Sequence, residues 1–330
     1  MTTDQPLSLE FERAVDEALA GVGFSALRSA ASGLSDSYRE ASSGLRRGSS
    51  LPDDLAVLAY VATRMPATLA VARAVLRELR ARCPALQVER LLDLGSGPGT
   101  TLWAAGFEIP ELVHATLVEP VATMATTARS LLCESSLDRR VATTWYPRAT
   151  DVPRTDDPYD LVVVGYLLTE LDDASRRALL NLAWEKCRGA VIVVVPGSTE
   201  GYQAMLDARA QLLSLGANLV APCPHAEPCP LPKDDWCHFS VRLNRSSLHR
   251  RLKGGSLPYE DEKYGYLVVT RGAGHPAGAR VIRRPLKQHR RVTLRLCGAD
   301  GVRDEVVTRT NRVAYRQARK VKWGEEWAED

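Results

Sequence analysis

The stretch Asp93-Leu94-Gly95-Ser96-Gly97-Pro98-Gly99-Thr100 constrains this chain more than any other. It joins the apolar segment Val88–Leu94 to a helical stretch. Glycines at alternate positions let a strand turn sharply into a helix while its backbone passes close to a ligand. Downstream, His114–Val118, Val141–Trp145, Leu161–Val164 and Ala190–Val195 read as strands separated by helix-length segments. That alternation predicts a parallel sheet, so the expected fold class is α/β. Unbroken β-branched runs such as Val191-Ile192-Val193-Val194-Val195 suit strands covered on both faces.

Around this centre the chain divides into three parts. Residues 1–85 read as an N-terminal helical region, because Leu55, Leu58, Ala59 and Ala62, and then Leu69, Val71, Ala74, Val75 and Leu79, recur at helical spacing. Pro66 fits a first helical turn, where its missing N–H costs nothing. Residues 86–272 form the expected sheet domain, with a helix near Glu200–Leu215. It includes a loop at 221–239 with five prolines among residues 222–232, which excludes helix and central strand there. His238–Leu243 and Tyr264–Thr270, bracketing a short helix near Asn244–Leu252, are expected to complete the sheet as its antiparallel edge. Residues 273–330 are read as a small β extension (Arg280–Arg284, Arg291–Leu296, Val302–Thr308) closed by a basic amphipathic helix, Asn311–Lys322.

Composition excludes several function classes. With 45% hydrophobic and 25% charged residues the chain is neither disordered nor fibrous, and at this length roughly 75% of the unfolded surface can be buried. The longest unbroken apolar runs, 55–62 and 161–168, are far shorter than the roughly 20 residues of a membrane-spanning helix. Acids at Asp4, Glu10, Glu12 and Asp16 argue against a secretory or mitochondrial leader, so the expected location is the bacterial cytoplasm. There seven cysteines are read as reduced thiols or metal ligands rather than disulfides.

The charge is uneven. From residue 221 onward 22 Lys and Arg face 13 Asp and Glu, a net charge of +9, whereas the first 220 residues carry −6. Between Lys263 and Ala299 nine basic residues occur with no acid. Guanidinium forks bind phosphate in a bidentate manner, so a polyanion is the expected partner, with Arg283, Arg284, Arg290 and Arg291 as candidate RNA contacts.

The spacing D-x-G-x-G-x-G resembles the S-adenosylmethionine loop of class I methyltransferases rather than the dinucleotide fingerprint. The resemblance implies a class I Rossmann sheet that binds S-adenosylmethionine through Asp93, Gly95, Gly97, Gly99 and Glu119. In that family the leading acid, here Asp93, helps position the methionine end, and the acid closing the next strand, here Glu119, holds the ribose. A nucleotide-reducing Rossmann enzyme and an unliganded structural turn are the alternatives. No catalytic base is assigned. After the fourth strand the chain reads Gly165-Tyr166-Leu167-Leu168-Thr169-Glu170, without the Asn/Asp-Pro-Pro-aromatic turn of amino methyltransferases. Tyr166 and Glu170 are the only candidates at that edge. Cys187 is expected on a helix as a packing residue, and Cys83 and Cys133 as structural.

Cys223, Cys229, Cys237 and Cys297 stand apart from those three. Prolines directly after two of them stiffen the loop and lower the entropy lost when thiolates converge. Four thiolates suit an iron–sulfur cluster. Tetrahedral zinc, with His225 or His238 nearby, is the competitor, and spacing leaves both open.

A longer set of motifs is more discriminating: Cys223-Pro224-His225, Cys229-Pro230, Asp235-Trp236-Cys237-His238-Phe239, Arg242, Arg245-Ser246, His249-Arg250, Lys253, and Tyr259 to Tyr264. With them go Leu296-Cys297, Gly301, Tyr315-Arg316, Ala318-Arg319-Lys320, Trp323-Gly324 and, near the start, Ser35, Tyr38-Arg39 and Arg64-Met65-Pro66. These resemble the small-ribosomal-subunit methyltransferase-like family known from mitochondria and many bacteria, although that family usually has Asp where this chain has Glu325. The resemblance implies a class I fold, a [4Fe-4S] cluster on the four cysteines, and association with small-subunit rRNA during ribosome assembly. The expected function is an rRNA-binding assembly or translation factor, monomeric off the ribosome and away from membranes. An active rRNA methyltransferase is the alternative. A zinc-stabilised enzyme acting on a small molecule would leave the +9 segment without purpose.

Overall fold

The computed structural model describes residues 4–42, 53–153 and 157–328, with the side chains of 4–7 and 35–42 left out; the side chains of Ser35, Tyr38 and Arg39 therefore lie outside the described residues. Four helices come first: α1 (Asp4–Ala18), α2 (Phe24–Ser42), α3 (Asp54–Thr63) and α4 (Met65–Arg82). Asp53 caps α3 by accepting from the Ala56 N–H at 2.7 Å, and Pro66 occupies the first turn of α4. The α3–α4 pair is bent by 52°, and no single helix among the described residues is long and apolar enough to cross a membrane.

The sheet follows as β1 (Arg90–Leu94), α5 (Thr100–Glu108), β2 (His114–Val118), α6 (Ala122–Leu132), α7 (Ser136–Arg140), β3 (Ala142–Tyr146), β4 (Tyr159–Gly165), α8 (Asp173–Glu185), β5 (Cys187–Pro196) and α9 (Thr199–Ser214). It ends with β6 (Asn218–Ala221), β7 (Phe239–Asn244), α10 (Ser247–Lys253) and β8 (Tyr259–Thr270). The strand order is 3-2-1-4-5-8-6, with β7 also paired to β8. Strands β1 to β5 are parallel, and β8 is antiparallel to β5. This is an α/β class I S-adenosylmethionine-methyltransferase-like sheet.

Both sheet faces are covered, as the apolar strand runs require. On one face α4 and α5 pack through Leu76, Leu79, Leu102 and Trp103, and α1 joins them where Phe11 meets the Trp103 ring at 5.2 Å. On the other face α8 and α9 pack through Leu180, Trp184, Ala208 and Leu212. One local expectation is corrected and one unforeseen strand is added. Cys187 begins β5 rather than lying on a helix, and it is buried. The strand β6, too short to show a pattern of its own, pairs with β8 beside β7.

A second sheet follows, built from β9 (Ala279–Val281), β10 (Leu286–Gln288), β11 (Arg291–Gly298), β12 (Gly301–Thr308), the helix α11 (Arg312–Ala318) and β13 (Glu326–Trp327). Here too the boundaries shift. The strand expected at Arg280–Arg284 ends at Val281, and the last helix spans only Arg312–Ala318, capped by Asn311 on the Ala314 N–H at 3.0 Å. Strand alternation puts Val281 and Leu296 on a core face beneath Ala318 and Val321. The next residues along, Arg280 and Cys297, pair directly across β9 and β11 and take the opposite face.

Candidate functional site

The first candidate site is the glycine turn. Gly95, Gly97 and Gly99 all adopt positive φ, at 80°, 53° and 80°. Side chains at these positions would be strained, so the loop depends on glycine. The loop is stitched to the end of β2, since the Gly95 and Ser96 N–H groups donate to the Val118 carbonyl at 2.9 and 3.0 Å. Glu119, just past β2, accepts from the Gly97 N–H at 2.8 Å with one carboxylate oxygen and from the Val121 N–H at 2.8 Å with the other. The structure thus brings together Asp93, Gly95, Gly97, Gly99 and Glu119 around one turn.

A cavity of about 60 Å³ opens against this turn, lined by Gly95, Ser96 and Thr100 and roofed by Tyr60, Val75 and Leu76 of α3 and α4. Both carboxylate oxygens of Asp93, the hydroxyls of Ser96 and Thr100, and the Tyr166 hydroxyl are buried with no hydrogen-bond partner among the described residues. Unmatched buried polar groups are costly, so their clustering here marks a place for a polar ligand. Burial pushes the Asp93 carboxyl up to about 7 against the opposing effect of the nearby Thr101 hydroxyl, and the Glu119 charge adds to the rise.

Tyr166 follows β4 with a φ of 60°, a conformation rare for a bulky side chain and concentrated at functional sites. It lines the cavity. Its hydroxyl is held well above the ordinary tyrosine range, first by burial and then by the Glu262 charge. Glu262 pairs with Arg64 at 3.1 Å. Glu170, the other candidate at this edge, is exposed and does not line the cavity.

The second candidate site lies between the two sheets. Three arginines hold the Pro-Cys loop by its backbone: Arg209 donates to the His225 and Glu227 carbonyls at 3.0 and 2.6 Å, Arg280 to Pro222 at 3.0 Å, and Arg283 to Trp236 at 3.1 Å. The Trp236 indole N–H donates to the Gly197 carbonyl at 3.0 Å, fixing the loop to the turn before α9. From the other side β11 brings Cys297, whose Sγ lies 3.8 Å from Nε2 of His225. Residue 297, about sixty positions from its nearest fellow, therefore reaches the loop.

The four thiols share one electrostatic neighbourhood. Burial raises Cys237 well above the ordinary thiol value, and the charges of Cys223, Cys229 and Cys297 raise it further. Burial and the charges of Cys223 and Cys229 push Cys297 up to about 12, and Cys223 is raised mainly by burial. Among the described residues no group of three or more His, Cys, Asp or Glu is arranged to hold a metal ion. The donor chemistry nevertheless fits one. Burial and neighbouring thiols disfavour ionisation of Cys223, Cys237 and Cys297, Nδ1 of His225 is buried without a partner among the described residues, and a bound cation would reverse that cost.

The basic stretch divides into structural and exposed arginines. Arg280 is 1% exposed, forming an ion pair with Glu78 at 2.6 Å. Arg283 is closed onto Asp235, and Arg271 donates to the Cys187 and Trp184 carbonyls at 2.6 and 2.7 Å. Arg284, Lys287, Arg290 and Arg291 are exposed on and before the β10–β11 hairpin. Arg290 takes φ 61° at its turn, and its carbonyl accepts from the Arg309 N–H at 3.1 Å. Of the candidate RNA contacts, Arg284, Arg290 and Arg291 are thus exposed, and Arg283 serves the cysteine loop. Sequence reasoning missed the buried roles of Arg209 and Arg280, because charge counting treats every guanidinium as solvated.

Comparison with known proteins adds four findings. The chain is 29% identical over 290 residues to the ribosome assembly protein METTL17, mitochondrial, of Homo sapiens, over 81% of this chain and 61% of that protein. It is 24% identical over 334 residues to Rsm22-cox11 tandem protein 2, mitochondrial, of Schizosaccharomyces pombe, over 82% of this chain and 43% of that protein. It therefore spans less than two thirds of the length of either relative. Among solved structures, magnesium protoporphyrin IX methyltransferase from Synechocystis PCC 6803 with bound SAM aligns with a TM-score of 0.42 at 12% identity, covering 79% of this chain and 97% of that one. The expected bacterial cytoplasmic location is overturned, since both relatives and the matching family are described as mitochondrial. The sequence profile described as mitochondrial small ribosomal subunit Rsm22 matches residues 54–328, and the chain belongs to the Rsm22 family.

Proposed function

We propose that this chain is a small-ribosomal-subunit assembly factor that binds rRNA through its exposed C-terminal arginines, carries S-adenosylmethionine in the glycine-turn cavity and holds a [4Fe-4S] cluster on Cys223, Cys229, Cys237 and Cys297. The observation that carries this reading is the approach of Cys297 to the Pro-Cys loop. Family membership supports the ribosomal role. Closing a loop of about sixty residues through a metal centre orders a segment that has only a small core of its own. Strand alternation puts Arg291 and Arg295 on the same face of β11 as Cys297, so anchoring that face orients the arginines.

The orphaned Asp93 carboxylate and the Ser96 and Thr100 hydroxyls are the groups that would hold the amino-acid end of S-adenosylmethionine, with Glu119 turned to the ribose hydroxyls. When bound, that cofactor supplies an electrophilic methyl group. The chain's own residues would position it and exclude water beneath the α3–α4 roof, with Tyr166 lining the same cavity. The buried, unpartnered Tyr166 hydroxyl favours a second reading, methyl transfer to rRNA. A missing methyl mark in rRNA from cells lacking the gene supports transfer, and an unchanged modification map removes it.

The test of the main reading is RNA binding by the full chain on immature small subunits across a salt series. Phosphate contacts make affinity fall steeply with salt, and salt-insensitive binding would refute docking through arginines. Iron, sulfide and zinc analysis after anaerobic purification tests the metal. Stoichiometric zinc without iron replaces the cluster by a zinc site that includes His225.

A further inference from the structure

Helix α9 leaves the cofactor sheet at β5 and passes along the cysteine loop. Tyr202 and Arg209 stand seven residues apart on it, close to two turns, and so share one face. The Tyr202 hydroxyl donates to Sγ of Cys229 at 3.1 Å. Arg209 is 6% exposed. Its Nη2 donates to the carbonyls of His225 and Glu227, both lying between Cys223 and Cys229 in the chain. Its Nε is buried with no partner among the described residues. A guanidinium stripped of water is expensive unless a negative charge compensates it. Arg209 therefore grips the backbone between the first two loop cysteines, and its guanidinium also meets the Cys223 thiol.

We infer that Arg209, assisted by Tyr202, is a charge-compensating positioning residue that raises the reduction potential of the four-cysteine cluster, an inference that rests on the cluster reading above. Reduction adds negative charge to a site already rich in thiolate. A fixed neighbouring cation and a hydrogen bond to a ligand sulfur both favour the reduced state, because hydrogen bonding and net charge set such potentials. The guanidinium also ties the loop backbone, so its charge and its hydrogen bonds have separable effects.

The experiment uses the full chain, purified anaerobically, assayed for iron and sulfide, and titrated with dithionite under electron paramagnetic resonance. Arg209→Gln removes the charge and should lower the reduced-to-oxidised ratio at fixed poise at least tenfold, a fall of 59 mV for one electron. Arg209→Lys keeps the charge and should stay within about threefold of the parent chain while its loop becomes easier to cleave. Tyr202→Phe should shift the ratio about threefold in the same direction as Arg209→Gln. An Arg209→Gln protein with full iron and sulfide and an unshifted midpoint overturns the inference, as does Arg209→Lys falling as far as Arg209→Gln. Should Arg209→Gln fail to assemble a cluster, an unshifted Tyr202→Phe overturns it instead. A parent chain free of iron and sulfide refutes the cluster reading itself, before any variant is compared.

Discussion

Arg280 ties three parts of the molecule together, and its replacement by Met is the most informative perturbation. Its guanidinium donates to Glu78 on α4 at 2.6 Å, to the Pro222 carbonyl at the mouth of the cysteine loop at 3.0 Å, and to the Gly324 carbonyl before β13 at 2.9 Å. Met keeps much of the stem volume and removes the charge, leaving two carbonyls without that donor. Breaking a buried ion pair from one side costs about 3–5 kcal/mol. Glu78 is 20% exposed and keeps Arg82 at 2.9 Å, which puts the ion-pair part near the lower end. The two carbonyls add about 1 kcal/mol each where water does not reach them. A total of about 3–5 kcal/mol should fall on the junction of the second sheet with the body, at 1.4 kcal/mol per power of ten in an equilibrium. Amide hydrogen exchange of the full chain measures it. Protection of the Val281 and Gly324 N–H groups, which bond to Glu325 and Val281 at 3.0 and 2.8 Å, should drop at least a hundredfold while β1 and β4 amides hold. Protection at Val281 within threefold of the parent, or equal loss in β1, would refute the reasoning.

Other expectations follow from the same geometry. Although burial pushes the Glu78 carboxyl up, Arg280 and Arg82 outweigh it and hold the group below its ordinary value; its stabilisation is therefore present above the unfolded value of about 4.3 and lost as pH falls further, so proteolysis of the second sheet should quicken in acid for the parent and change less for Arg280→Met. Asp93 has the opposite sign: with a folded value of about 7 the folded state binds the proton more tightly, so stability present at low pH declines as pH rises from about 4 to about 7. Asp93→Asn should flatten that decline in urea titrations of the ligand-free chain and weaken S-adenosylmethionine binding about tenfold or more in calorimetry, since a charged hydrogen bond contributes about 1.5–3 kcal/mol; unchanged affinity would dismiss Asp93 as a ligand. Replacing Arg284, Arg290 and Arg291 together by Gln should lower the salt slope of RNA binding by up to about 2.7, at about 0.9 for each phosphate contact, and an unaltered slope would move the docking surface elsewhere. Cys297→Ser should expose the loop and second sheet to protease, and an unchanged digestion pattern would separate Cys297 from the loop.

The sequence by itself determined the elements whose signals are local. The glycine turn, the β-branched run of β5, Pro66 in the first turn of α4 and the strand at His114–Val118 all appear where pattern and turn chemistry put them, because each depends on residues within a few positions. Asp93, the glycines and Glu119 were legible for the same reason: a strand, a turn and the end of the next strand occupy one short stretch of chain. Cys297 was already set with the three loop cysteines from the sequence, and the likeness of the cysteine motifs to a known family pointed the same way. Only the tertiary structure decided the rest. It brought Arg209, Arg280 and Arg283 inward to carbonyls and carboxylates, turned Tyr166 into the cavity through a positive φ, and paired the short β6 and β13 with partners distant in sequence. Whether an arginine meets RNA or a buried carbonyl depends on which distant backbone deprives it of water, and that desolvation is a property of the assembled chain that no local pattern encodes.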